Sequence, residues 1–221
     1  VLQDTSNRKT LVQVVIADET STVFYSALSA LLKTATFENP KLCGQIIQLN
    51  SQASMADIVS VLADNAQICQ DQYCRYEGQK RLVASFEPIE PIRSAPLIPW
   101  NDNGVYLITG GGGGLGLIFA REIVQQTKGA VLILTGRSKL SAEKQAILSS
   151  LEINGATVEF EQIDVTDRSV VEEFIKNIEN RFSCLNGVIH SAGISRDNFI
   201  VRKTSDEFSQ VLKPKVNGTL Y

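Results

Sequence analysis

Short runs of apolar and β-branched residues alternate along the chain with longer stretches whose apolar positions recur at helical spacing, a rhythm that predicts helices packed on parallel sheets. Thr10 to Ala17 reads as a strand. Ser21 to Thr36 reads as a helix with Val23, Phe24, Ala27, Leu28, Leu31 and Leu32 inward, and Pro40 ends that region. Gly44 to Leu49 is a second strand, and Ser54 or Ala56 opens a helix through Ile58, Val59, Val61 and Leu62. Strands around Tyr73 to Glu77 and Lys80 to Phe86 then meet at a turn centred on Gly78. Glu87 to Trp100 carries Pro88, Pro91, Pro96 and Pro99, which can continue neither a helix nor a central strand, so it marks a boundary between two α/β modules.

The second module opens on Val105-Tyr-Leu-Ile-Thr109, a short buried strand, followed by Gly110-Gly111-Gly112-Gly113-Gly114-Leu115-Gly116 and by a helical stretch from Leu117. Strand, glycine turn and helix in that order suit a phosphate. Glycines let backbone N–H groups approach a ligand, and the helix N-terminus offers free N–H groups and a positive dipole end. A flexible loop is the plain alternative. A phosphate loop for nucleoside triphosphates needs Lys then Ser or Thr after the last glycine, where Leu117 and Ile118 stand, so a dinucleotide is the remaining ligand class.

Ala130 to Thr135 is a continuous apolar run, as in a strand buried on both faces, and ends in Gly136-Arg137-Ser138. An acidic residue about twenty positions beyond the glycines would bind the ribose 2′-hydroxyl of NAD, whereas Arg137 and Ser138 suit the 2′-phosphate of NADP. A solvated surface Arg is the alternative. Ser141 caps a helix through Ile147, Leu148 and Leu151, and Thr157 to Ile163 forms a third strand ending at Asp164-Val165. The Asp164 carboxylate could reach an adenine amino group, or Asp164 and Asp167 could cap the next helix. That helix, Val170 to Phe182, turns Val170, Val171, Phe174, Ile175 and Ile178 inward. Gly187 to His190 is a fourth strand leading into Ser191-Ala192-Gly193, so the module forms the first half of a doubly wound sheet and one strand past its switch point. His190, the only histidine, lies within that apolar strand, where a hydrogen-bonded structural role is favoured over a general base.

Composition narrows the class. With 43% apolar and 20% charged residues the chain is an ordinary globular one, and its net charge of −3 argues against a general nucleic-acid binder. No apolar run suggests a membrane span. Cys43, Cys69, Cys74 and Cys184 have neither zinc spacing nor disulfide-scaffold density, so free thiols in a reducing cytoplasm and no metal centre are expected. The absence of an initial Met suggests a piece of a longer polypeptide.

Taken together, Thr109 to Gly116, Thr135-Gly-Arg-Ser138, Asp164-Val165, His190-Ser-Ala-Gly193 and Lys215-Val-Asn-Gly218 resemble the ketoreductase domains of modular polyketide synthases, a branch of the short-chain dehydrogenase/reductases. The Gly113 to Arg121 wording is most like systems whose acyltransferase acts in trans. The resemblance implies an α/β, Rossmann-like doubly wound sheet with its C-terminal part missing, preceded by a smaller Rossmann-like structural subdomain. It divides the chain into a partial, catalytically inactive subdomain at 1–92, a Pro-rich linker at 93–103, and a truncated NADP-binding catalytic subdomain at 104–221.

The implied reaction is hydride transfer from NADPH to the β-keto group of an acyl chain held as a thioester on an acyl carrier protein, among neighbouring domains of a larger synthase. Gly110, Gly111, Gly113, Gly114, Leu115, Gly116, Arg137, Ser138, Asp164, Val165, Ser191, Ala192 and Gly193 would hold the cofactor, and Lys215 would be catalytic. Phe208, Val211, Leu212 and Lys215 fall on one helical face, so Lys215 is expected to be partly desolvated; snorkelling to the surface is the alternative. Asp197 matches the last acidic position of a motif that goes with a D-configured (B-type) alcohol, although Ser195 and Arg196 depart from its first two positions. The family's Ser and Tyr motifs have no counterpart through Tyr221, so the chain by itself is expected to be inactive. A non-catalytic nucleotide-binding or scaffold module, and a nucleotide-sugar dehydratase or epimerase, are the other readings.

Overall fold

The computed structural model describes residues 8–17, 22–90 and 98–221, with side chains at 22–26 not described. The side chains of Val23 and Phe24 on the expected inner helix face, and residues 91–97 of the proline-rich segment, therefore lie outside what is described. The chain divides into two compact units, residues 1–91 with 198–203, and residues 92–197 with 204–221.

The first unit runs β1 (Thr10–Ile16), α1 (Thr22–Glu38), β2 (Leu42–Gln48), α2 (Met55–Ala66), β3 (Tyr73–Glu77) and β4 (Lys80–Val83). Its sheet has the order β1-β2-β3-β4, with the first three strands parallel and β4 antiparallel to β3 across Gly78, whose φ is +60°. Ser54 caps α2 through a reciprocal capping box with Asp57, and Ser54's side chain, then its backbone N–H, hold the Asp57 carboxyl below the usual carboxylate range. A buried polar ladder fixes α2 to the sheet. Gln13 Nε2 donates to Gln45 Oε1, Gln45 Nε2 donates to Asn65 O and Ile68 O, and Asn65 Nδ2 donates to Val61 O and Tyr76 Oη. Arg81 closes it by donating to Asn65 Oδ1 and Asp71 Oδ2 at 3.0 and 2.7 Å. Gln45 and Asn65 are fully buried, so these bonds replace water that neither amide can reach. Residues 198–203 join this unit through the Ile200 N–H, which donates to both oxygens of Glu38 at the end of α1 at 2.9 and 3.0 Å.

Three details differ from the sequence reading. β4 stops at Val83 rather than Phe86, because β3 begins at Tyr73 and offers no partner past the bond from the Ala84 N–H to Tyr73 O; Phe86 is wholly exposed. Ala27 and Leu31 of α1 and Val59 of α2 face solvent, so the buried stripe of each helix is narrower than its apolar pattern. Helix α1 also continues to Glu38, stopping only where Pro40 approaches.

The second unit runs β5 (Val105–Thr109), α3 (Gly114–Gln126), β6 (Val131–Gly136), α4 (Ala142–Ser149), β7 (Thr157–Gln162), α5 (Arg168–Arg181), β8 (Gly187–His190) and α6 (Ser205–Leu220). The sheet is all parallel, in the order β7-β6-β5-β8. Alternation along its central strands sends side chains to opposite faces. Tyr106, Ile108, Leu132 and Leu134 pack on Ala120, Ile123 and Val124 of α3, while Val105, Leu107 and Ile133 pack on Phe174, Ile175 and Ile178 of α5. With both faces covered, β5 is buried at every position. This is the Rossmann-like, doubly wound arrangement that the β–α rhythm predicts. Val170, expected inside, is instead 37% exposed, because α5 opens at Arg168 after its Asp167 cap and its first turn lies at the rim.

Truncating Ile133, which has no exposed surface, to Ala is expected to lower the unfolding free energy of the second unit by about 2–5 kcal/mol, read from a urea titration. Burial, and then the hydrogen bond it shares with Cys69, push the Cys43 thiol up to about 12, so it stays protonated near pH 8. Alkylation at that pH, followed by peptide mass mapping, is expected to label the exposed Cys69 and Cys184 before Cys43.

Candidate functional site

The switch point of the second sheet lies between β5 and β8, where the chain leaves one strand for α3 and the other for the loop at 191–197. Those two loops press together at Gly110. Its φ is +67°, and a Cβ there would stand 2.8 Å from Ser191 O and 2.9 Å from the backbone of Ala192. The Gly113 N–H closes a turn onto Gly110 O at 2.8 Å, and helix α3 begins at Gly114, three residues earlier than its apolar pattern indicates. It can start there because Gly116 lies flat on the loop, where a Cβ would come within 2.6 Å of Gly111 Cα. Gly113 caps the helix without any side-chain hydrogen bond, and a Cβ on Gly114 would meet nothing within 4 Å. No side chain therefore caps the first N–H groups of α3.

Beside this loop lies a cleft of ≈ 280 Å³ lined by Gly110, Gly113, Arg137, Ser138, Val165, Ser191, Ala192 and Gly193, which the sequence singled out. It is also lined by Lys139, Leu140, Lys144, Phe160, Ile163 and Pro214, which it did not. Arg137, Ser138 and Lys139 are exposed at the end of β6, and Lys144 sits in the first turn of α4, with its N–H on the Ser141 cap. Three cations thus line the cleft. The loop after β6 supplies two and the start of α4 the third, which the β6 motif alone did not indicate. Gly111, Gly114, Leu115 and Gly116 shape the loop from outside the lining. Asp164 is exposed and accepts from Thr166 N and Oγ1 at 2.9 and 2.8 Å, a local turn leading to the Asp167 cap, and it is not among the lining residues.

Strand register places Thr135, Thr109 and His190 side by side at the C-terminal ends of β6, β5 and β8. His190 Nδ1 lies 2.9 Å from Thr109 Oγ1, and Nε2 lies 2.9 Å from Pro214 O in α6, so the ring is held as a bridge. The next residue, Lys215, is exposed, as are Phe208 and Leu212 on the same helix. The expected desolvation of Lys215 is thus not found: the apolar face inferred for α6 is not a buried face, and only Pro214 of that helix is fully covered. Lys215 nevertheless reaches the site. Its Cε would lie 3.9 Å from a Cβ on Gly193. Asp197 is exposed in the loop after β8 and does not line the cleft.

The residues present fit a dinucleotide. An uncapped helix N-terminus, a glycine loop and cationic lining residues suit the phosphates of a dinucleotide in chemistry. Among the described residues no three His, Cys, Asp or Glu side chains gather as a metal site, and no helix is long and apolar enough to cross a membrane.

Comparison with known proteins places this geometry. The chain is 45% identical over 208 residues to polyketide synthase PksN of Bacillus subtilis (strain 168), which covers 94% of this chain and 4% of that one. It is 41% identical over 212 residues to polyketide synthase PksL of the same organism, covering 96% and 5%. A solved ketoreductase domain from the bacillaene assembly line superposes with a TM-score of 0.86 at 39% identity, over 96% of this chain and 50% of that one. The chain thus spans a small part of those synthases and half of that domain. These relatives set aside the nucleotide-sugar reading, and the ketoreductase fold implies a nicotinamide cofactor. With residues 104–221 matching the KR domain model, the chain belongs to the KR domain family, the ketoreductase domains of polyketide synthases.

Proposed function

We propose that the protein containing this chain reduces a β-ketoacyl thioester, carried on the phosphopantetheine of an acyl carrier protein, to the β-hydroxyacyl thioester with NADPH. The observation that carries this reading is the convergence of three features at the C-terminal ends of β5, β6 and β8. These are an uncapped helix N-terminus behind glycines, the Arg137–Ser138–Lys139 corner with Lys144, and Lys215 beside Gly193. The PksN and PksL relatives suggest neighbouring synthase domains and a cytoplasmic setting.

In this reading the α3 N–H groups and the Gly110–Gly113 backbone hold the pyrophosphate, and Arg137 and Ser138, with Lys139 and Lys144, hold the 2′-phosphate. NADPH supplies the hydride that the carbonyl carbon accepts. The Lys215 ammonium puts positive charge where negative charge develops on the carbonyl oxygen before it takes up a proton. Asp197, in the Ile194-Ser-Arg-Asp197 loop, biases the acyl chain toward the D-configured (B-type) alcohol.

Arg137→Ala is expected to weaken NADPH binding roughly 10- to 100-fold, the range of one charge-assisted contact, while leaving NADH binding nearly unchanged. Equal losses for the two cofactors in a fluorescence titration would refute the 2′-phosphate assignment. Lys215→Ala is expected to lower kcat on the order of 10²-fold or more with NADPH affinity retained, and full turnover in that variant would overturn the catalytic role assigned to Lys215. The family's Ser and Tyr have no counterpart among the 221 residues, so a protein of these residues alone is expected to leave a β-ketoacyl thioester unreduced. Loss of NADPH absorbance in that assay would overturn the expectation.

A further inference from the structure

His190 is conspicuous because both ring nitrogens are engaged and neither contact is used in the function proposed above. Pro214 O can only accept, so Nε2 must carry the proton of that 2.9 Å bond. In the neutral ring Nδ1 is then an acceptor, and the proton of its 2.9 Å bond comes from the Thr109 hydroxyl. Thr109 Oγ1 in turn accepts the Ala192 N–H at 3.3 Å. Every link donates in one direction, from Ala192 through Thr109 and His190 to Pro214.

The two ends of this relay are both functional positions. Ala192 is the residue whose backbone abuts Gly110, and Pro214 immediately precedes Lys215. The helix is shaped to receive the ring. Pro214 is the buried residue of α6, and one turn on, Gly218 leaves the space in which a Cβ would stand 3.2 Å from His190 Cε1 and 2.8 Å from Val165 Cγ2. Lys215 is exposed and has no burial of its own to fix it, so its placement beside Gly193 depends on the backbone that carries it.

We propose that His190 is a positioning residue for Lys215, holding the Pro214 carbonyl with its Nε2–H while the Thr109 hydroxyl anchors Nδ1 to the end of β5, and so locking α6 to the end of β8. The proposal rests on Lys215 having the role assigned above, and two measurements separate the two claims. Because His190 is the only histidine in the chain, nitrogen-15 NMR of the 221-residue protein reports this ring alone. The neutral ring is expected as the Nε2–H tautomer, and because Pro214 O still requires that proton, Thr109→Val is expected to keep the tautomer while the Nδ1 resonance moves with the loss of its donor. An Nδ1–H or averaged ring in the unaltered protein overturns the proposal whatever Lys215 does.

The second measurement is steady-state reduction of a β-ketoacyl thioester by the ketoreductase that contains these residues. His190→Leu is expected to lower kcat up to roughly 10²-fold, the cost of misplacing a catalytic group by about 1 Å, with the KM for NADPH nearly unchanged. His190→Gln, whose amide N–H can reach Pro214 O, is expected to recover most of that loss, and His190→Leu combined with Lys215→Ala should be no slower than Lys215→Ala alone. If Lys215→Ala collapses kcat while a folded His190→Leu does not, the positioning role fails and the Lys215 assignment survives. If Lys215→Ala keeps full turnover, both fail. Should His190→Leu not fold, Thr109→Val decides: it keeps the ring, and unaltered kcat in that variant overturns the proposal.

Discussion

Two backbones approach at Gly110 more closely than any side chain allows, and the rest of the second unit is arranged around that contact. The loop after β5 can turn back beneath α3 only if residue 110 takes a positive φ and presents no Cβ to Ser191 and Ala192. Once it does, the ends of β5 and β8 lie side by side, Ser191 Oγ donates to Thr109 O at 2.6 Å, and the helix N-terminus begins beside the cleft. Buried strands on either side make the approach rigid. β5 is covered on one face by α3 and on the other by α5, so its C-terminal end cannot shift without opening two packed layers.

Much of this was legible because the cofactor half of the site is made by missing side chains and by strands buried on both faces. Six glycines in seven residues after Val105–Thr109 can be read directly, and so can Arg137-Ser138 at the end of an apolar run. The less legible features depend on what packs against an element rather than on its own pattern. α6 carries Phe208, Leu212 and Lys215 at helical spacing, but periodicity reports only that a helix has an apolar side, and here that side is exposed. The same reasoning turns Val170 and Leu31 inward, whereas Val170 lies in the uncovered first turn of α5 and Leu31 outside the narrower buried stripe of α1. Asp164 was readable either as a ligand or as a helix cap, and one of its carboxylate oxygens instead accepts from Thr166 two residues on, in a turn that no apolar pattern marks.

The first unit shows a different limit. Its strands and helices follow from apolar spacing, yet what fastens α2 to the sheet is polar. Gln13, Gln45, Asn65 and Arg81 are spread over 68 positions and carry no local signature, since a Gln within a strand and an Asn near a helix end read as ordinary surface residues. Their value comes from burial, where an unpartnered amide is costly and a fully satisfied one specifies a single packing.

The two halves of the candidate site therefore use the chain in different ways. The proposed phosphate site is local in sequence, because a strand, its glycines and the following helix form it within about one βα unit. The lysine side is assembled across long separations: Thr109 meets His190 81 residues away, and His190 meets Pro214 24 residues further on. Hydrogen-bond direction makes the link one-way, since Pro214 can only accept and so dictates where the ring proton sits and hence which way the Thr109 hydroxyl points. A residue that looks like a lone histidine in an apolar strand thus connects the backbone beneath the cofactor cleft to the helix that presents Lys215, a connection that exists only once both strands have been placed in register.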